Sequence, residues 1–100
     1  MRVDWSVSAL ADLDRFAEFL HERDPSLARR IATEIRERVQ ILAEQPLLGR
    51  QLGDREDYRQ VILEVAHALY IFQYRVEGER LVMLRVFHGR ELRQDRKPRT

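Results

Sequence analysis

The spacing of apolar residues changes halfway along this 100-residue chain, and the change limits the folds open to it. Up to about residue 45, apolar side chains recur at steps of three and four, as on one face of an α-helix. From about residue 58 they tend to alternate with polar ones, as on the two faces of a β-strand. Helices followed by strands predict an α+β fold, with helices on one face of an antiparallel sheet.

The first half predicts two helices joined by a very short connection. Helix one begins at Ser6 or Ser8, either of which can cap it, and ends near Arg23. Asp12 and Asp14 are assigned to its first turn, where acidic side chains favour the helix dipole. Helix two covers residues 25–45, because Asp-Pro at 24–25 breaks one helix and suits the start of another. The two helices are expected to form an antiparallel hairpin.

Strands are predicted at residues 2–5, 58–65, 69–77 and 80–87, giving a three- to four-stranded antiparallel sheet. Alternation divides the last three strands into two faces. One face is nearly all apolar and is expected to contact the helices: Val61, Leu63, Val65, Tyr70, Phe72, Tyr74, Val76, Val82, Leu84 and Val86. The other face is half polar, yet it carries Ile62, Ile71, Met83 and Phe87. These four predict an exposed apolar patch that another molecule covers.

Composition excludes several kinds of site. Cysteine is absent, which removes disulfides and thiolate chemistry and favours a reducing, cytoplasmic location. The three histidines are dispersed without metal-ligand spacing, and no phosphate-binding loop or nucleophile elbow is present. The chain starts without a signal peptide and has no membrane-spanning stretch. We therefore expect one domain over residues 1–100 with no metal, no cofactor and no membrane partner.

The charge is concentrated at one end. Although the chain has a net charge of +1, residues 85–100 contain six basic and two acidic side chains, so a basic tail is predicted from about residue 90. The candidate target-binding residues are Arg75, Arg85, His88, Arg90 and Arg93. His88 and Arg90 are also weak catalytic candidates, since a general acid–base beside a cation suits metal-independent RNA cleavage. The alternative is that His88 ends a strand and bonds locally, with Arg90 starting a solvated tail.

The order of these elements resembles the RelE/ParE superfamily of type II toxin–antitoxin toxins. The resemblance covers nearly the whole chain, and its residues are Ser8, Ala11, Asp12 and Leu13, the pair 24–25, Ile41 and Leu42 before Pro46, Gly49 and Arg50, then Arg59 and the strands 70–76 and 84–90. It implies a small toxin that a cognate antitoxin neutralises by binding across its surface, and it makes the apolar patch the candidate antitoxin site.

Two activities occur in the superfamily, and the residues favour one. RelE-like members cut mRNA on the ribosome, and the resemblance implies basic residues where this chain has Ile62, Glu64 and Ile71. Of the expected cations only Arg90 is present, and no tyrosine follows Tyr74. The chain is therefore more similar to ParE-like members, which inhibit DNA gyrase without nuclease activity. A RelE-like nuclease and an inactive relic that only binds antitoxin remain the alternatives.

Overall fold

The computed structural model describes residues 1–91, apart from the side chain of Glu56. Its elements in chain order are β1 (Arg2–Trp5), α1 (Val7–His21), α2 (Pro25–Glu44), β2 (Arg50–Leu52), β3 (Arg55–Val65), β4 (Ala68–Glu77) and β5 (Arg80–His88). The two helices pack on a five-stranded sheet with the order β1-β5-β4-β3-β2. The predicted α+β fold is confirmed, with more strands than expected. No helix within residues 1–91 is long and apolar enough to cross a membrane.

Side-chain caps fix where the two helices begin. The Ser6 hydroxyl accepts a hydrogen bond from Ala9 N at 3.0 Å and starts α1, which ends at His21 rather than near Arg23. The carboxylate of Asp24 accepts from the backbone N–H of Leu27 at 3.1 Å and starts α2 at a proline. Each cap satisfies an N–H group that has no partner inside the helix. Because α1 starts at Val7, its first turn holds no acidic residue.

The sheet is mixed rather than wholly antiparallel. β1 runs parallel to β5, with Arg2 to Trp5 beside Arg80 to Met83, whereas the other neighbouring pairs are antiparallel. β2 has three residues and pairs with β3 in a segment where no strand was predicted. Three residues are too few for alternation to be recognised in a sequence. β1 and β5 are separated in the chain by two helices and three strands, so local pattern does not reveal their parallel pairing.

The predicted inward faces of β3 and β4 are confirmed, whereas that of β5 is confirmed at Val86 and wrong at the other two residues. Tyr70, Phe72 and Tyr74 are at most 2% exposed and lie in the core with the helices. On β5, however, the core contains Leu81 and Met83, both 0% exposed, instead of the predicted Val82 and Leu84.

A β-bulge explains the exchange of faces in β5. Tyr74 pairs with Met83 and Gln73 with Arg85, which leaves Leu84 without an opposite residue. One extra residue reverses the alternation, so the residues before and after the bulge follow different parities. Val82, which pairs with Arg75, therefore lies on the face away from the helices.

Gly49 lies where the chain leaves α2 and approaches the sheet. Its N–H donates to the Tyr74 hydroxyl at 2.9 Å, and that hydroxyl donates to the carbonyl of Pro46 at 2.7 Å. A Cβ atom at residue 49 would lie 2.7 Å from the Tyr74 oxygen and 2.8 Å from the carbonyl oxygen of Gln60. Only a residue without Cβ fits between these two oxygens.

We expect Gly49→Ala to lower the free energy of unfolding by about 1–3 kcal/mol, because the added methyl must displace a buried tyrosine and a strand carbonyl. Urea denaturation measures the change. In a double-mutant cycle with Tyr74→Phe, the double variant should lose less stability than the sum of the losses in the two single variants. Phenylalanine lacks the hydroxyl oxygen and so relieves one of the two close contacts. A Gly49→Ala protein as stable as the parent would contradict this packing.

Candidate functional site

A buried carboxylate on α1 forms the centre of a side-chain network that joins this helix to β5. Asp12 is 1% exposed. Arg85 binds it through two nitrogens, Nε to Oδ2 at 2.8 Å and Nη2 to Oδ1 at 3.0 Å. Arg15 donates to Oδ1 at 2.8 Å, and the backbone N–H of Val86 donates to Oδ2 at 2.8 Å. The charge of Asp12 is thus balanced by two guanidinium groups and one backbone donor.

The position of Asp12 follows from where β1 ends. β1 pairs with β5 only as far as Trp5 opposite Met83, and beyond that point α1 runs beside the edge of β5. The Ser6 hydroxyl donates to the Leu84 carbonyl at 3.0 Å. Asp12 then accepts from the next N–H along that edge, that of Val86. The side chains of Ser6 and Asp12 thus bind the backbone groups of β5 that β1 does not reach. This part of the sheet edge therefore has hydrogen-bond partners.

The pKa of Asp12 is lower than that of an ordinary aspartate. Burial raises it, because the charged form loses water. Hydrogen bonds from Arg85, Arg15 and the Val86 N–H act in the opposite direction and outweigh burial. Asp12 is consequently ionised at neutral pH and serves as an anchor rather than as a proton donor.

Glu91 extends the network to the end of β5. It accepts from Arg15 through both oxygens, at 2.9 Å from Nε and 3.1 Å from Nη2, and from the backbone N–H of His88 at 2.9 Å. Asp12, Arg15, Arg85 and Glu91 together are called the edge network below. Residues 89–91 form a helical turn that this network ties to α1.

The predicted target-binding residues do not form one cluster. On the face away from the helices, Arg75 is bound by Glu77 at 2.7 Å and Arg85 by Asp12. His88 lies at the helix-facing end of β5, where its ring meets that of Tyr70 edge-on at 5.1 Å. Arg90 is exposed. The fifth residue, Arg93, and the basic tail lie outside the described residues.

The sheet face away from the helices carries an apolar row across three strands. Ile62, Ile71 and Phe87 are opposite one another on β3, β4 and β5, and Leu69 lies beside them near the β3–β4 turn. These four residues are called the outer apolar row. Ile62 is 56% exposed and Leu69 is 57% exposed. The Arg85 guanidinium lies 4.5 Å from the centre of the Phe87 ring.

The predicted exposed patch is thus wrong at two of its four positions. Met83 is 0% exposed because the bulge turns it into the core. Ile71 is on the expected face but only 4% exposed, since it lies on the central strand with Ile62 and Phe87 on either side. Leu69, which the prediction omitted, supplies the exposed apolar area instead.

A second apolar surface lies in the groove between the two helices. The groove has a volume of about 240 Å³, and its lining includes Leu10, Leu13, Phe16, Ile31 and Ile35. Leu10, at 49% exposed, is the lining residue most open to solvent among these. Sequence reasoning placed apolar side chains here as helix contacts but did not predict a groove.

The polar groups around the end of β5 are bonded to one another. Within residues 1–91 no three acidic or histidine side chains come together as metal ligands do. The Nδ1 atom of His88 accepts a hydrogen bond from the backbone N–H of Arg90 at 3.0 Å. Its neighbour Glu91 is bound to Arg15. Asp12 was not predicted to be the centre of a network, although it lies at helical spacing from the buried Ala9 and Phe16.

Comparisons with known proteins agree with the fold and the predicted resemblance. The family model for the ParE toxin of the type II toxin–antitoxin system parDE matches residues 3–93. Toxin RelE1 of Caulobacter vibrioides is 32% identical over 88 residues, covering 88% of this chain and 92% of that protein. The putative toxin Y4kP of Sinorhizobium fredii is 32% identical over 90 residues, covering 90% of each.

Solved structures show the same architecture. A chain of the chromosomal ParDE system from P. aeruginosa superposes with a TM-score of 0.69 at 24% identity, covering 88% of this chain and 95% of that one. The YoeB/ParE toxin from Agrobacterium tumefaciens gives a TM-score of 0.55 at 20% identity, covering 89% and 99%. At these identities the structures support the fold alone. Because the family model and both sequence relatives span most of its length, this chain belongs to the ParE toxin family of type II toxin–antitoxin systems, within the RelE/ParE superfamily.

Proposed function

We propose that this toxin is ParE-like in activity: it inhibits DNA gyrase and arrests growth, and a cognate antitoxin neutralises it. Membership of the family implies the antitoxin partner. The proposed site of action is the cytoplasm, where gyrase works. We choose gyrase over mRNA as the target because the outer sheet face is apolar and acidic at the positions where a nuclease needs cations.

A metal-independent nuclease must stabilise the negative charge that develops on phosphate in the transition state. The RelE-like pattern implies cations at positions that are here Ile62, Glu64 and Ile71. Ile62 and Glu64 are exposed, so a substrate phosphate at this face would meet an apolar side chain and a carboxylate. The cations nearest on that face, Arg75 and Arg85, are each bound to a carboxylate. This arrangement gives little stabilisation to a cleaved phosphodiester.

His88 and Arg90 support a second candidate, ribosome-dependent mRNA cleavage. Since Nδ1 of His88 accepts from the N–H of Arg90, the neutral ring carries its proton on Nε2 and can donate a hydrogen bond from that atom. We rank this activity second because a hydrogen-bond donor beside a cation, without a group to activate the attacking oxygen, provides only part of the chemistry.

For contact with the target we propose the predicted set of Arg75, Arg85, His88, Arg90 and Arg93. Arg90 is placed first because it is exposed at the end of β5. Arg75 and Arg85 have 29% and 41% of their side chains exposed while bound to Glu77 and Asp12. A target would therefore meet part of each guanidinium without breaking the ion pair.

For contact with the antitoxin we propose the outer apolar row. Its exposed members, Ile62 and Leu69, lie on neighbouring strands, and apolar side chains grouped on a sheet face are typical of protein interfaces. The predicted Phe87 is half-buried and contributes its exposed part, whereas Ile71 and Met83 are too buried to offer contact area.

The test of the proposed activity is a supercoiling assay with purified gyrase, together with detection of trapped DNA-cleavage complexes. Inhibition that purified antitoxin reverses is the expected result. No inhibition and no trapped complex at high toxin concentration would reject gyrase as the target.

Primer extension on a translated message then tests the nuclease alternative, which predicts cuts in the message in growth-arrested cells. Normal growth on expression without the antitoxin would instead identify an inactive relic.

A further inference from the structure

The end of β5 is fixed by carboxylates in place of a neighbouring strand. Along the edge that β1 leaves uncovered, the backbone N–H of Val86 donates to Asp12 at 2.8 Å and that of His88 donates to Glu91 at 2.9 Å. The two N–H groups are two residues apart, as successive donors on one strand edge are. Asp12 belongs to α1, but Glu91 belongs to the 89–91 turn itself.

Arg15 joins these two carboxylates and thereby ties the turn to α1. Its Nη1 donates to Asp12 at 2.8 Å, while Nε and Nη2 bind the two oxygens of Glu91 at 2.9 and 3.1 Å. A guanidinium fork on a carboxylate fixes direction as well as distance, since both hydrogen bonds must be met in one plane. The Arg15–Glu91 pair therefore defines the orientation of the turn, not only its proximity.

Two more contacts hold the same turn from other sides. The N–H of Arg90 donates to Nδ1 of His88 at 3.0 Å, and the His88 ring meets Tyr70 edge-on. At Gly89 a Cβ atom would lie 3.1 Å from the carbonyl oxygen of Leu69, so the turn is closely packed on β4. The exposed side chain of Arg90 therefore extends from a backbone that contacts hold on three sides.

We propose that Glu91 is a positioning residue: through Arg15 and the His88 N–H it orients the 89–91 turn so that His88 and Arg90 are presented to the toxin's target. This inference rests on the proposed function, in which those two residues contact the target. Glu91 acts through its neighbours and is not itself a contact residue. A preformed turn binds its target without first losing conformational freedom, which is why orientation affects potency.

Glu91 orients the 89–91 turn but contributes little to the free energy of folding. Its side chain is 35% exposed and that of Arg15 is 42% exposed, so water can replace either partner of the pair. Ion pairs with this exposure contribute little to the free energy of folding. The Glu91 variants should therefore fold normally, with a melting temperature within about 4 °C of the parent.

The experiment compares Glu91→Ala and Glu91→Gln, with Glu18→Ala as the control, because Glu18 is an exposed carboxylate of α1. Amide hydrogen exchange at His88 should become about tenfold faster in Glu91→Ala. Glu91→Gln should fall between Glu91→Ala and the parent, since its amide oxygen still accepts from the His88 N–H but no longer pairs with the Arg15 charge. The control should match the parent. Unchanged exchange at His88 in Glu91→Ala would overturn the proposal.

Potency is measured on the same proteins by gyrase inhibition and by growth arrest in cells. We expect Glu91→Ala to need about a tenfold higher concentration for half inhibition, with Glu91→Gln intermediate and antitoxin affinity unchanged. Faster exchange with unchanged potency would show a structural role only and would overturn the inference. If the parent arrests growth without inhibiting gyrase, the proposed target is wrong, and the growth assay then decides the inference about Glu91. A parent without any toxicity would refute both.

Discussion

Replacing Asp12 with asparagine should lower the free energy of unfolding by about 2–4 kcal/mol, one of the two largest effects that we expect in this protein. The carboxylate is 1% exposed, and its loss leaves Arg85 without its anionic partner and Arg15 with Glu91 alone. Breaking a fully buried pair costs more, but here the two arginine side chains are 41% and 42% exposed and can turn partly to water. The amide oxygen of the introduced asparagine would still accept from the N–H of Val86.

The loss of stability in Asp12→Asn should depend on pH in a definite direction. Because the pKa of Asp12 is lowered in the folded state, its contribution is fully present above the unfolded pKa, about 3.9, and is lost as the pH falls through the folded value. The difference in stability between parent and Asp12→Asn should thus be largest near neutral pH and shrink below about pH 4.

Urea denaturation at several pH values measures both effects, and Asp14→Asn is the matched control. Asp14 is an exposed aspartate two residues along the same helix, so its substitution should change stability by less than about 0.5 kcal/mol. If Asp12→Asn is as stable as Asp14→Asn at neutral pH, the edge network does not hold α1 against β5 as described.

The second large effect concerns the antitoxin. We expect the double variant Ile62→Glu with Leu69→Glu to weaken the toxin–antitoxin complex by about 2–4 kcal/mol, because it places two carboxylates in the centre of an apolar interface. The two side chains are 56% and 57% exposed in the toxin alone, so the fold should tolerate the change. Isothermal titration calorimetry with the purified antitoxin measures the affinity.

Leu47→Glu is the control for this experiment, because Leu47 is 71% exposed in the connection between α2 and β2 and outside the outer apolar row. It should leave the affinity unchanged. Equal affinity for the parent and the double variant would show that the antitoxin binds elsewhere. Leu10→Glu then tests the groove between the helices, which Leu10 lines while 49% exposed.

Patterns that depend on neighbours in sequence predicted most of the fold. Helix caps, the break at Pro25 and the alternation in β3 and β4 each depend on a few consecutive residues, and the structure confirms them. The pattern failed on β5, because a bulge forms between two strands and leaves no signal in either one alone. That single extra residue moved Met83 from the predicted outer patch into the core.

The candidate site was less predictable than the fold. Arg85 was predicted to contact a target, since a cation near a basic tail is usually solvated, yet it binds a carboxylate 73 residues earlier in the chain. Asp12 was assigned to the helix dipole because two of its three partners, Arg85 and Val86, are distant in sequence. Family resemblance nevertheless included Asp12 and the strand containing Arg85, although it gave no reason for their pairing.

The amino-acid sequence by itself determined the order of the helices and of every strand except β2, the apolar faces of β3 and β4, and membership of the toxin superfamily. Each of these depends on local spacing or on residues in a fixed order. Tertiary structure alone decided the parallel pairing of β1, the inward face of β5 and the ionic closure of the β5 edge. These features depend on which segments become neighbours after folding. Backbone hydrogen bonds and buried charges are satisfied by whichever partner the fold brings close, and spacing along the chain does not specify that partner.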